Sequence, residues 1–357
     1  MNALSAGFWS GRRVLVTGHT GFKGAWLCLM LHALGAEISG LSQPPARCSA
    51  YDLLVVSARM RHSYLADIRE PEVVEEIVRG VRPEVVFHLA AQALVGEGYR
   101  DPCGTFATNV TGTAHLLQAL RGQHDIAAAV IVTSDKVYRN DNTGRPFRES
   151  DPLGGVDPYS ASKAAAELAV TAWRHSYTGE MPPMATARAG NVIGGGDFAL
   201  ERLVPDLVRA ERSGRPLVVR SPDATRPFQH VLDVLRGYLL LAQALAEGSP
   251  VPEALNFGPW DAELRVRDLI CHWEAATGQA VRWETASASV IAEQRRLALD
   301  SGLARSVLEW APCYDTPDAI ARTAQWYSAW TRGVDMRAYS ENEVEEALSC
   351  SATQAQS

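Results

Sequence analysis

An α/β fold, with a parallel sheet wound doubly so that helices cover both faces and a smaller lobe following it, is predicted by three observations. Short, wholly apolar runs recur through the first half of the 357 residues. Longer helical patterns separate them. A glycine-rich turn joins the first run to the first helix. Strands buried on both faces read as continuous apolar runs rather than alternating ones, and parallel neighbours need helical crossovers between them.

Residues 13–17 form the first such run, ending at Gly18. Residues 25–34 read as a helix stopped by Gly35, and residues 37–41 as the second strand. Further strands are expected at 85–89 and 128–133. After about residue 190 the alternation breaks. Gly194, Gly195 and Gly196 come first, and Pro205, Pro216, Pro222 and Pro227 punctuate the next thirty or so positions. This stretch is expected to build the smaller lobe, interleaved with the first. Asn256 to Pro259 reads as a structural turn, and the polar end, from about residue 340, as a frayed tail.

Composition narrows the function. Apolar residues make up 46% and charged residues 21%, with a net charge of −7. No Lys/Arg run marks a nucleic-acid surface, and no stretch of about 18 apolar residues marks a membrane span. The first ten residues lack a basic start and an apolar run, so no signal peptide is expected. The six cysteines show no zinc spacing and no CxxC, so no metal site is expected. Scattered single cysteines fit a reducing compartment, so a cytoplasmic protein is expected.

The glycine turn reads Thr17-Gly18-His19-Thr20-Gly21-Phe22-Lys23-Gly24. A pyrophosphate can approach backbone only where no β-carbon intrudes, and it then meets the free N–H groups of a helix N-terminus. Placed between strand and helix, the turn predicts a Rossmann-like dinucleotide site. Its Gly-x-x-Gly-x-x-Gly spacing differs from the standard fingerprint and looks like that of short-chain dehydrogenases/reductases. Lys23 reads either as a phosphate partner or as a solvated side chain. The acidic residue expected at the end of strand two is missing from Gly40-Leu41-Ser42-Gln43-Pro44. The choice between NAD and NADP is therefore weakly specified there. Asp67 and Ile68 read as adenine contacts or as a plain turn.

Asp157-Pro158-Tyr159-Ser160-Ala161-Ser162-Lys163 carries the catalytic signal. Asp157 suits an N-cap and Pro158 the first helical position, so Tyr159 and Lys163 share one helix face. A tyrosine with a pKa of about 10 is a poor base at neutral pH. A nearby ammonium is expected to lower it, equipping Tyr159 to take the proton of a sugar hydroxyl while hydride leaves. The fourth strand ends in Ser134-Asp135-Lys136, at the edge where open parallel sheets collect functional groups.

Taken together, the glycine turn, His-Leu-Ala-Ala-Gln (88–92), Asn-Val-Thr-Gly-Thr (109–113), Thr-Ser-Asp-Lys (133–136), the Tyr159 segment, Arg-Ala-Gly-Asn-Val-Ile-Gly-Gly-Gly-Asp (188–197) and Arg-Pro-Phe-Gln-His-Val (226–231) resemble the CDP-glucose 4,6-dehydratases. The resemblance runs from Phe8-Trp9 to about Met336. It implies NAD as cofactor, held by Gly18, His19, Gly21, Phe22, Lys23, Gly24, Asp67, Ile68, Ala90, Asn109, Tyr159 and Lys163. It implies a triad of Ser134, Tyr159 and Lys163, with Asp135 as the acid at C6 and Lys136 assisting at C5. Asn191, Arg226 and one of Arg295 or Arg296 would contact the nucleotide-sugar phosphates; His230 reads as a ligand or as a packed side chain. The expected division is residues 1–190 mainly for NAD, 191–336 mainly for the nucleotide sugar and 337–357 as a tail, in a homodimer or homotetramer.

The chain departs from the resemblance in two places: Gly96 and Gly98 stand where an Arg and a Ser are usual, and 140–149 lacks the usual tryptophan-rich stretch. The exact sugar and base stay open, and dehydration of another nucleotide sugar remains an alternative. A 4-epimerase would use the same triad but needs no acid at C6. An NADPH-consuming reductase lacks an obvious 2′-phosphate arginine. A non-catalytic binding protein would have no reason to keep Ser134, Tyr159 and Lys163 together.

Overall fold

The computed structural model describes residues 4–140, 143–260, 264–286 and 296–350. Its centre is a seven-stranded sheet. In chain order the first six strands are β1 (Arg13–Thr17), β2 (Glu37–Ser42), β3 (His62–Leu65), β4 (Val85–His88), β5 (Ala128–Val132) and β6 (Met184–Ala189). The seventh is Ala254–Phe257. Across the sheet the order is β3-β2-β1-β4-β5-β6 and then the seventh strand, every pairing parallel. This is the doubly wound, Rossmann-like arrangement, and its strand order reverses between β1 and β4.

Alternate residues of each strand enter different cores. Val14, Val16, Ile38, Val85, Phe87 and Val130 pack on one face with helices Phe22–Ala33, Val231–Ala246 and Thr316–Thr331. Leu15, Leu41, Val86, Ala129 and Ile131 pack on the other with helices Pro71–Val81, Gly112–Leu120 and Pro158–Ser176. Both faces are thus covered, which is why these strands lack polar alternation. β3 is the exception: it is an edge strand, mostly exposed, and so carries no apolar run.

Three expectations need correction. Asn256 is not in a turn but on the seventh strand, fully buried, with its side chain bonded to Tyr138, Phe147 and Asp300. Residues far beyond 190 thus complete the first sheet. The expected tail is a helix, Met336–Ser349, with Met336, Ser340, Glu343, Val344 and Ala347 buried. Its buried stripe has helical spacing, but Ser340 and Glu343 dilute it, so it reads as polar. Ser340 accepts a hydrogen bond from the Trp326 indole at 2.9 Å, and burial pushes the Glu343 carboxyl up to about 8. Finally, Cys313 and Cys350 are not single: they form a disulfide between positions 37 apart. A separation that long carries no motif, and the C-terminal helix is what returns Cys350 to its partner.

The docked helix makes a stability prediction. Val344 is 1% exposed. Val344→Asp should lower the urea-unfolding free energy by about 2–5 kcal/mol, because an unpaired carboxylate replaces a buried valine. An unchanged unfolding midpoint would mean that this helix does not stabilise the sheet.

Candidate active site

The carboxyl ends of β1, β4 and β5 open on one cavity of about 310 Å³. Phe22, Lys23, Ser134, Asp135, Lys136 and Tyr159 border it from the sheet side, and Asn191, Arg202, Arg220 and Arg226 from the smaller lobe.

The glycine turn fits a dinucleotide. A β-carbon on Gly18 would come within 2.7 Å of the Ala90 nitrogen, and one on Gly24 within 2.1 Å of the Gly18 oxygen. No larger residue could hold these two loops together at the point where strand order reverses. The helix Phe22–Ala33 starts from Gly21 with no side-chain cap and no acid in its first turn. Its first N–H groups are left for an anion, as a pyrophosphate requires.

The other expected cofactor residues divide. Phe22 and Lys23 face the cavity. Lys23 lies near Lys163 and Arg202; burial, then those two cations, push its amine down to about 7. His19 turns away. Its ring is fully buried under Gly40 and bonds Ser63 at 2.8 Å, and burial pushes it down to about 4. Asn109 lies in a π-helical turn, a local widening common at functional sites. Its side chain accepts from the Gln92 nitrogen and donates to the Gln92 oxygen and Ser162. It therefore braces the loop after β4, and Ala90 within that loop is held by the Thr17 hydroxyl. Asp67 stands beyond β3 and accepts from Gln43, at the end of β2, and from Arg69. The Arg69 hydrogen bond holds the Asp67 carboxyl down at about 2. Ile68 is buried against Gly112.

The catalytic candidates converge. Asp157 caps the helix Pro158–Ser176 by accepting from the Ser160 nitrogen at 3.0 Å, which points Tyr159 inward from the first turn. Ser134 donates to Asp135 Oδ1 at 2.9 Å, and Asn191 donates to Oδ2 at 3.2 Å. The Lys136 ammonium is 3.7 Å from Oδ1. Asp135 is 1% exposed, and its carboxyl lies against Gly190 at the cavity wall.

One electrostatic expectation is overturned. The Tyr159 phenol is raised, not lowered: burial is the largest cause, with the Ser134 hydrogen bond and Arg202 pulling back down. Lys163 is not among its causes. Its ammonium instead donates to the Val132 carbonyl at 3.1 Å, and burial pushes it down to about 8 against the pull of Glu167. One helical turn brings the two side chains onto a common face but leaves the ammonium aimed at the strand end.

On the substrate side, Asn191 holds a left-handed φ of 49° with its amide on Asp135, within the cavity rather than at its rim. Arg226 is nearly buried and borders the cavity. Arg296 is exposed and lies against Gly144; Arg295 lies outside the described residues. His230 is structural: fully buried, pushed down to about 3 by burial, it caps the helix Val231–Ala246. Sequence reasoning misses Arg202 and Arg220. Arg202 pairs with Asp197 at 2.8 Å, which raises its guanidinium despite burial. Arg202, five positions after Asp197, carries no motif of its own, so only the fold brings it to Tyr159.

Comparison with known proteins agrees with this geometry. The NAD dependent epimerase/dehydratase family model matches residues 14–258. A CDP-glucose 4,6-dehydratase of Salmonella typhimurium is 39% identical over 97% of this chain and 99% of its own length. A dTDP-glucose 4,6-dehydratase of Xanthomonas campestris is 28% identical over 90% of this chain and 95% of its own. Among solved structures, a UDP-glucose 4-epimerase of Stenotrophomonas maltophila with bound NAD is similar in fold, with a TM-score of 0.79 at 23% identity, covering 90% of this chain and 100% of that one. The glycine cradle and the Ser134-Tyr159-Lys163 set lie within the stretch that the family model matches, and the chain belongs to the NAD dependent epimerase/dehydratase family.

Proposed function

We propose that this chain is a nucleotide-sugar 4,6-dehydratase, an NAD-dependent hydro-lyase, with CDP-glucose as its substrate. The observation that carries the reading is the placement of an acid and an amine, Asp135 and Lys136, beside the Ser134-Tyr159 pair in one cavity. The full-length similarity to a CDP-glucose 4,6-dehydratase supports it. We propose a homodimer or homotetramer; the Cys313–Cys350 pair removes the single-cysteine argument for the cytoplasm. NAD sits on residues mainly within 1–190, and the nucleotide sugar mainly on 191–336, where Asn191 and Arg226 meet the phosphates.

Each side chain then has one task. NAD would be held on the glycine cradle and would supply a reversible store for the hydride exchanged between C4 and C6. Tyr159 takes the C4 hydroxyl proton. The ketone acidifies C5, and Lys136 takes the C5 proton. Asp135 protonates the departing C6 hydroxyl, which leaves as water. Lys136 then returns the proton to C5. The proton ledger closes within the protein: the one lost from the C4 hydroxyl is the one water needs. Ser134 lies between Tyr159 and Asp135 and can accept from the phenol while donating to the carboxylate. It thereby links the two ends of that transfer.

The test is incubation of purified protein with CDP-glucose and NAD, read by mass spectrometry. Loss of one water with no net reduced cofactor is expected. A product of unchanged mass, an epimer, would overturn the dehydratase reading.

A further inference from the structure

The short helix Val95–Arg100 carries glycine at 96 and 98. Gly98 lies against Tyr159, whose nitrogen is 3.1 Å from where a β-carbon would stand. Gly96 makes room for something else: its β-carbon would fall 1.8 Å from Glu201 Oε2 and 2.8 Å from the Glu201 Cδ. The carboxyl of Glu201 occupies the volume that any larger residue at 96 would fill. Gly96 and Glu201 both border the cavity of Ser134, Asp135 and Tyr159.

Glu201 is also held in an unusual way. Its φ is 63°, a left-handed conformation that a glutamate keeps only where its surroundings fix it. Oε1 accepts from Arg100 Nη1 at 2.7 Å, and Arg100 is itself bonded to Glu97. Oε2 receives no hydrogen bond among the described residues. The Arg100 pair is too exposed to account for the arrangement, since exposed pairs contribute little. Glu201 is exposed, so Oε2 is free to exchange a water for a hydroxyl, and the left-handed backbone together with the missing side chain at 96 sets that oxygen at the cavity wall.

We infer that Glu201 is a specificity-determining residue: Oε2 accepts a hydrogen bond from a ring hydroxyl of the substrate's hexose, while Arg100 fixes the other oxygen and Gly96 admits the carboxyl. The inference rests on the nucleotide-sugar reading. It assigns the contact to the hexose, because Glu201 borders the same cavity as Ser134, Asp135 and Tyr159, where the reacting sugar must lie, and a carboxylate repels the phosphates.

The test is isothermal titration of CDP-glucose, of its 2-deoxy and 3-deoxy analogues and of CDP alone into NAD-loaded protein carrying Tyr159→Phe in every variant, so that no turnover accompanies binding. Glu201→Ala should weaken CDP-glucose about tenfold to a hundredfold and leave CDP unchanged. One deoxy analogue should bind protein with Glu201 intact as weakly as CDP-glucose binds Glu201→Ala, with no further loss when the two changes are combined. Gly96→Ser, which evicts the carboxyl, should reproduce the loss; if that variant does not fold, Glu201→Ala decides alone. CDP-glucose affinity in Glu201→Ala within about twofold of that with Glu201 intact overturns the inference. Dehydration assays run alongside with Tyr159 intact separate the two readings. Normal water loss with unaltered binding in Glu201→Ala overturns the Glu201 contact alone. A Glu201-dependent affinity without water loss in the wild type supports the contact and overturns the dehydratase reading.

Discussion

Tyr159→Phe should abolish turnover of CDP-glucose, lowering kcat by about 10²–10⁴ while leaving the fold intact. Only the phenolic oxygen is removed from a ring that is 8% exposed and packed in the first turn of its helix. Phenylalanine fills the same space, so unfolding midpoints should match those of the wild type. The block falls on the first step: without a base on the C4 hydroxyl, no ketone forms and C5 is never acidified. Single-turnover absorbance should accordingly show no transient reduced nicotinamide. The raised phenol sharpens the expectation. A tyrosine held neutral by burial acts as a base only when its proton has somewhere to go, and the Ser134 hydroxyl opens that route, to Asp135 or to solvent at the cavity mouth. Turnover by the variant within a few fold of wild type would remove Tyr159 from the mechanism.

How much of the molecule is legible in the sequence depends on how local each signal is. β1, the glycine turn and the Asp157 cap are set by neighbours in the chain, so their residues can be read directly. Ser134, Asp135 and Lys136 are consecutive at a strand end, and the parallel sheet gives that end its meaning. Long-range facts are not legible. The direction of the Lys163 ammonium depends on the Val132 carbonyl across the sheet, so spacing alone predicts the wrong effect on Tyr159. His19 belongs to the glycine turn by sequence, yet its ring is claimed by Gly40 and Ser63 on neighbouring strands. Glu201 reaches Gly96 across about a hundred residues, and a glycine reads as the absence of a signal until the structure shows what occupies its place. The C-terminal helix hides for a related reason: two of its buried positions, Ser340 and Glu343, are polar residues that only their partners explain.

Asp135→Asn should uncouple the reaction after oxidation. The change keeps the size of the side chain and an oxygen able to accept from Asn191 or Ser134, so C4 oxidation, which needs Tyr159, should slow by only a few fold. Water loss should fall by about 10² or more, because an amide has no proton to give the departing C6 hydroxyl. The two rates separate in a single turnover. Reduced nicotinamide should build up and persist, and quenched samples should contain a 4-keto nucleotide hexose that has lost one H₂ but no water. The same experiment weighs the proton route through Ser134. Without the Asp135 carboxylate the phenol proton leaves through Ser134 to solvent at the cavity mouth, so oxidation proceeds while the C6 hydroxyl has no acid beside it. Oxidation then reaches equilibrium and stops, with the reduced cofactor as its visible residue. Equal slowing of oxidation and water loss would place Asp135 at the first step instead, as a partner that orients Ser134, and would leave the acid at C6 to be sought elsewhere in the cavity wall.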